Sequence, residues 1–396
     1  MKKLLLFALL TIPVMSGYAQ SRIYVNDYLN IGVGARGLSM AGATSATTSD
    51  VYSTYWNPSG LTGIGSDAQA GLMHAEYFAS IFKYDYGAIA IPLKDKKRFV
   101  GISFIRFATD NIPYTLDYVQ PDGSFDDSKL KDFSAGDYAV TLSYAQKLNL
   151  FKKDTNIQTS FGVNAKIIYR NVGSMANAWG FGTDLGFQIK YKQWKFGLAA
   201  KDITTSYTAW AFHLNEHEKE VFAGTGNEIP IKSYEVMLPR FNFGIARYFL
   251  KPGGNFQILG EFGFDVTTDG KRSTIIASNP ISVDPKIGFE ASYKNTIFLR
   301  TGVGNIYKAL DNSDTMNIKK YTVFQPSIGV GFKVKSLSID YAFTSLQMQD
   351  NPLMSHIFSI KLDIMKSRKG APATAPQSPQ PGLPTNPGKN NADKKN

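Results

Sequence analysis

The chain has 396 residues, no cysteine, 35 glycines, 27 phenylalanines and 21 tyrosines, with charged residues at 19% and a formal net charge of +11. The missing cysteine excludes a disulfide scaffold, a cysteine zinc site, an iron–sulfur centre, a thiol nucleophile and a lipid anchor on cysteine. Low charge with a heavy Gly, Phe and Tyr load points to many short strands with aromatic girdles.

At the N-terminus, Lys2 and Lys3 precede an apolar run from Leu4 to Val14. Gly17 and Ala19 then take small-residue positions before Gln20. The pattern reads as a cleaved secretory signal over 1–19. Beyond it, no stretch reaches the roughly 18 continuous apolar residues of a spanning helix. An exported chain of this kind enters a membrane as a closed barrel.

Residues 20–66 do not read as strands. They run through Gly32, Gly34, Ala35, Arg36 and Gly37 to a small-residue stretch holding Met40 and Gly42. Asp50 follows, and then Asn57-Pro58-Ser59-Gly60. Small residues permit close backbone packing, and Asn-Pro before Ser-Gly is turn chemistry. A compact segment ahead of a wide barrel is expected inside it as a plug, because such a lumen is not filled by its own wall side chains. Gly32, Gly34 and Gly37 also match a dinucleotide fingerprint, but the βαβ context that motif needs is missing, so no cofactor is expected.

Period-2 alternation then marks strands near 68–78, 82–93, 97–108, 135–148, 156–170, 181–192, 194–201, 237–250, 255–266, 284–294, 296–304, 322–334, 335–345 and 355–365. Phe358, Ile360, Leu362 and Ile364, for example, alternate with Ser359, Lys361 and Asp363. The expected fold is all-β: a 14-stranded antiparallel transmembrane β-barrel over 67–365 with an N-terminal plug, or hatch. An even strand number fits a single-chain bacterial barrel. The connections 94–96, 149–155, 193, 251–254, 295 and 334–335 are short. Those at 109–134, 171–180, 202–236, 267–283, 305–321 and 346–354 are mostly longer, and 79–81 is the exception. Short turns on one side and long loops on the other fit an outer-membrane barrel. Glu261, Asp265, Lys286, Glu290, Arg300, Lys333, Asp340, Lys361 and Asp363 fall on the lumenal face, where opposite charges pair across strands.

Within the long loops, Tyr114, Tyr118, Tyr207, Trp210 and Phe212 read as membrane-interface anchors or loop packing. His213 and His217 match a zinc-protease spacing with Glu216 between them. A solvated loop is the plainer reading, and no metal site is expected. Asp311-Asn312-Ser313-Asp314, and Asp122-Gly123 with Asp126 and Asp127, lack full calcium-loop spacing. The tail, 366–396, holds six of the eighteen prolines and is expected to be disordered on the periplasmic side. It carries +5 of the charge and the leader +2, leaving +4 for 20–365. The basic balance is therefore no nucleic-acid face.

The stretch GARGLSMAGATSATTSDVYSTYWNPSGL resembles the N-terminal signature of the FadL-like PorV/PorQ barrels of Bacteroidota. SIGVGFKVKSLSIDYAFTSL resembles that family's last hairpin. The chain departs from the pattern at Ser59, in place of the usual Ala, and at Ala41, in place of a common Gly, and reads as a PorV-like paralogue. The resemblance implies a non-enzymatic accessory barrel of type IX secretion in the outer membrane. Its partners would be lipid and protein: translocon, attachment complex or sorting-domain cargo met through the outer loops 109–134 and 202–236, with Tyr114, Tyr118, Tyr207, Trp210 and Phe212 as contact aromatics there, a role the resemblance implies no more strongly than anchoring or packing. The alternatives are a FadL-type transporter of apolar small molecules and a scaffold subunit of another outer-membrane complex. An apolar pocket between hatch and wall would favour the transporter.

Overall fold

The computed structural model describes residues 25–365 apart from 119–123, 152–153, 155, 225, 227, 229–231, 251–252, 311–319 and 346–353. The signal over 1–19, the tail and the acidic stretches 122–123 and 311–314 lie outside the described residues.

Seventeen strands form one antiparallel sheet. They are β1 (Ala68–Tyr77), β2 (Phe82–Pro92), β3 (Arg98–Tyr114), β4 (Lys131–Leu148), β5 (Ile157–Val172), β6 (Ala176–Tyr191), β7 (Trp194–Lys201), β8 (Ser206–Phe212), β9 (Lys232–Met237), β10 (Arg240–Tyr248), β11 (Phe256–Thr267), β12 (Ile276–Ala277), β13 (Ser282–Tyr293), β14 (Ile297–Leu310), β15 (Lys320–Val334), β16 (Leu337–Ser345) and β17 (Met354–Ile364). Fourteen of them build the wall: β1 to β7, β10, β11 and β13 to β17. The ring closes between β1 and β17, in register from Ala68↔Ile364 to Ala75↔Ile357. Closure leaves no edge, so every wall strand has a partner on both sides.

The remaining strands correct the expected loop map. Residues 202–236 hold β8, a helix α3 (Glu216–Gly224) and β9 rather than an open loop. β8 pairs with the end of β6 beyond the reach of β7, and β9 pairs with β8. The chain therefore makes two long strands, each interrupted once, at 202–205 and at Leu238-Pro239. Proline lacks the N–H that would continue the second ladder. Likewise β3 runs on to Tyr114 and β4 begins at Lys131, which shortens the expected 109–134 loop.

The alternation has its physical cause in two solvents. Outward positions carry apolar side chains left exposed, among them Phe324, Ile328, Val330, Phe332, Phe358 and Ile360. Inward positions carry small, polar or charged ones, and on β1 to β3 also large ones such as Tyr77, Tyr84, Tyr86 and Phe99 that pack on the residues inside. Phe104, Tyr138, Tyr169 and Trp179 form an outer-face aromatic ladder toward the long-loop end, with ring centroids 4.8–6.2 Å apart. Phe256 and Tyr293 pair at 4.6 Å near the opposite, short-turn end. Aromatic girdles flanking an apolar band mark a membrane-spanning wall. Val330 sits on this face, half exposed. Val330→Arg is expected to cost about 2–4 kcal/mol of folding into lipid vesicles, read from urea titration with heat-modifiable gel migration. An unchanged midpoint would mean that the face does not meet lipid.

Candidate functional site: a plugged lumen

Residues 25–66 pack against the inward faces of the wall. They form short helices only, α1 (Ala35–Ser39), α2 (Ser53–Trp56) and two 3-10 turns, Asp27–Asn30 and Pro58–Gly63. Such short helices are not stable alone, so their conformation is set by what the barrel offers them.

Glycines in the wall make the seat. Met40 lies against Gly288 and Gly302, and a Cβ on Gly288 would stand 2.8 Å from that of Met40. Ser45 and Ala46 cover Gly197, Ala46 also meets Gly244, and the Asn57–Pro58 turn covers Gly162 and Gly186. Inside the plug, Gly37 admits the Trp56 indole, whose Nε1 donates to the Val33 carbonyl at 2.8 Å. Gly32 also meets that indole and takes φ +105°. Two of the three dinucleotide-like glycines thus serve a tryptophan seat, and Gly34 lies against the Tyr52 ring.

Polar ties hold the hatch residues in place. Asn57 Nδ2 donates to the carbonyl of Ser45 at 2.9 Å and to those of Phe187 and Leu198 at 3.3 Å. Its Oδ1 accepts from the Ser59 N–H at 3.2 Å and from the Ser59 hydroxyl at 2.7 Å. Ser59 therefore clamps Asn57 in a way that the alanine of the resembling pattern does not. Glu261, buried on β11, accepts from the Ala46 N–H at 2.8 Å and from the Thr47 hydroxyl at 2.6 Å. Arg36 donates to Glu290 at 2.8 Å. Arg300 joins Glu290 and Asp340, both at 2.6 Å. Lys361 reaches Asp50 at 2.8 Å, and Lys333 reaches Asp363 at 3.2 Å. The charges expected on the late strands are thus the plug's anchors as well as cross-strand partners. Gly34, Gly42 and Gly60 lie in the same segment. Gly34 N–H meets the Met73 sulfur at 2.9 Å, and Gly60 is pressed against Thr48 and Ser53.

The lumen divides into unlike halves. Toward β1 to β4 the plug buries Leu29, Val33, Tyr52 and Tyr55 against Tyr77, Tyr84, Tyr86 and Phe99. Toward β10 to β17 the contact is ionic. A cavity of about 700 Å³ remains at the long-loop end, with Leu38, Ala41, Gly42, Tyr55 and Trp56 from the plug and Lys201, Arg240, Asn242, Asp265, Asp284 and Lys286 from the wall. Below the plug a cavity of about 790 Å³ is lined by Ala46, Thr48, Ser49, Lys147, Gln188, Lys190 and Lys195. A third, of about 380 Å³, lies beside Arg36, Asp50 and Lys195. Residues 41–49 are therefore the partition between the upper chamber and the lower space. At the chamber rim Arg272 pairs with Asp269. Burial alone would raise the Asp269 carboxyl, but this hydrogen-bonded guanidinium holds it below the usual carboxylate range.

Sequence reasoning missed Lys166, Asp184 and Asp202, a buried ion triad beside the strand break at 202–205. Lys166 Nζ meets Asp184 at 2.8 Å and Asp202 at 2.5 Å. It also missed Lys190, Lys195, Lys201 and Arg240. Alternation around Gly197 already puts Lys195 and Lys201 on one face. The loop aromatics do not form one surface. Tyr114 ends β3 and donates to Glu218 of α3 at 2.9 Å, and Tyr118 packs on Phe125. Tyr207 points outward, whereas Trp210, stacked on Arg170 at 5.0 Å, and Phe212 face inward on β8, opposite Ala178 and Ala176. His213 and His217 do not share a helix face, because α3 starts at Glu216. His213 lies 3.1 Å from Asn177 and His217 lies 3.1 Å from Asp117. Among the described residues, no group of three or more His, Asp or Glu side chains is placed to hold a metal. Asp126 accepts from the Ser128 N–H and hydroxyl in a turn.

No family model and no curated protein matches the chain. Among solved structures it is similar to the toluene transporter TbuX of Ralstonia pickettii, at 12% identity and TM-score 0.50 over 84% of this chain and 98% of that one. The toluene transporter TodX of P. putida follows at 12% identity and TM-score 0.49 over 85% and 99%. A FadL homologue of Pseudomonas aeruginosa follows at 12% and 0.47 over 84% and 98%. The first likeness shows a shared fold, that of a 14-stranded transmembrane barrel.

Glu261→Ala is expected to leave the Ala46 N–H without a partner and to weaken plug retention by about 3 kcal/mol. Gly288→Val acts on the same partition by displacing Met40. Single-channel recording in planar bilayers reads both as larger or more frequent openings. Closure as complete as in the parent would place retention elsewhere.

Proposed function

We propose that the protein is an outer-membrane transporter of the plugged-barrel kind, which takes small molecules from the long-loop side into the upper chamber and releases them below when residues 41–49 shift. The observation that carries this reading is the chamber itself, open toward the loops and floored by the plug, with a second cavity directly beneath the partition. The fold shared with the toluene transporter TbuX supports it. The upper chamber is mixed in character, with Tyr55, Trp56 and Leu38 on one side and charged wall residues on the other. That lining does not favour a purely hydrocarbon cargo.

The second reading is protein delivery in type IX secretion. It draws on the hatch and last-hairpin resemblance and on the exposed Tyr207 and Tyr234 of the β8–β9 hairpin. Uptake by proteoliposomes separates the two. The transporter admits sorbitol faster than bare lipid vesicles do, and Gln325→Trp, which places an indole in the chamber, slows entry. Vesicles no leakier than lipid alone would remove the transporter reading. Crosslinking that recovers translocon or sorting-domain proteins would then favour the second.

A further inference from the structure

Most lumenal cations are spoken for. Arg36, Lys166, Lys286, Arg300 and Lys361 each have a carboxylate within 2.5–2.8 Å. Two pairs differ. Lys201 and Arg240 stand directly opposite each other across β7 and β10, and both line the upper chamber. Lys190 and Lys195 stand directly opposite each other across β6 and β7, and both line the lower cavity. None of these four forms an ion pair among the described residues. Instead, Lys201 rests 4.0 Å from the Tyr55 ring centroid and Lys195 lies 5.2 Å from that of Tyr248. Like charges placed directly across a sheet destabilise it, and an aromatic face offsets only part of that cost. Asp265, Asp269 and Asp284 lie within electrostatic range of Arg240 and offset a further part there; a bound anion would relieve what is left of both pairs.

The two pairs share one strand. Lys195 and Lys201 lie on the inner face of β7, six residues or about 20 Å apart along it. Gly197 lies between them under Ser45 and Ala46, the partition itself. We propose that the lumen conducts a small organic anion, bound first by Lys201 and Arg240 and then, once the partition leaves Gly197, by Lys190 and Lys195. This rests on the transporter reading and names its substrate class. Tyr55 and Trp56 beside Lys201 supply a flat apolar contact for the body of the anion. Asp284 and Asp265 face each other across β11 and β13 in the same chamber. Lys286 pairs with Asp265 at 2.8 Å and Arg272 lies 3.8 Å from Asp27, so Asp284 is the chamber carboxylate that most opposes an anion there.

The test compares entry of radiolabelled gluconate with that of sorbitol, its neutral counterpart of similar size, into proteoliposomes of the full barrel. Gluconate is expected to enter faster. The double exchange Lys201→Gln, Arg240→Gln lowers the gluconate-to-sorbitol ratio by about tenfold, as does Lys190→Gln, Lys195→Gln. Asp284→Asn raises the ratio. Heat-modifiable migration verifies that each variant is folded. Equal entry of the two solutes in the parent, or a preference that survives both double exchanges, overturns the proposal while sorbitol entry still supports transport. If neither solute enters, the transport reading fails and equilibrium dialysis of gluconate against the solubilised barrel decides the site. Saturable binding, weakened by salt and by the Lys201/Arg240 exchange, upholds the anion site. Absent or unaffected binding overturns it.

Discussion

In a hydrocarbon layer each backbone N–H and C=O needs a partner within the protein, and here that constraint is met by closing β1 onto β17. Everything else follows from the size of the ring so made. Fourteen strands enclose more space than their inward side chains fill. The lumen must therefore hold water, a ligand or another piece of chain. In this protein the forty-odd residues ahead of β1 take most of it.

The plug fits because the wall was relieved of side chains where the plug's backbone passes. Gly197, Gly244, Gly288 and Gly302 are inward positions at which a Cβ would meet plug atoms. Around that seat the two halves of the lumen use different chemistry. The early strands bury a tyrosine-rich cluster with Tyr52 and Tyr55. The late strands offer carboxylates and cations that bind Arg36, Asp50, Ala46 and Thr47. An apolar contact resists sliding weakly, whereas hydrogen-bonded charges fix a position. The tyrosine side is suited to holding the plug in the barrel and the ionic side to setting its register.

This asymmetry bears on the proposed transport. The partition between the chambers, residues 41–49, hangs from Glu261 and Asn57 and lies over glycines. The cations of β7 and its neighbours that form no ion pair among the described residues lie on both sides of that partition. A solute that binds above it meets the same strand, and the same sign of charge, below it.

Alternation along the chain was enough to mark most wall strands and their lipid face, because side chains in a strand alternate strictly and the two faces meet different solvents. Spacing of turns was enough for the long-loop and short-turn ends, and the glycine-rich hatch was legible as a segment without strand character. The continuation of β7 and β10 into β8 and β9 was not legible. Those strands exist only because β6 extends past β7 and offers them a ladder. The inward turn of Trp210 and Phe212, and the separation of His213 from His217, follow from the same local pairing. The pairing of Arg36 with Glu290 joins residues 254 apart, and the facing of Lys201 with Arg240 is a matter of register. Local pattern determined which side of the wall most strand residues face, though not Trp210 and Phe212 of β8. Only barrel closure, by bringing distant strands side by side, decided which charges found partners and which, among the described residues, did not.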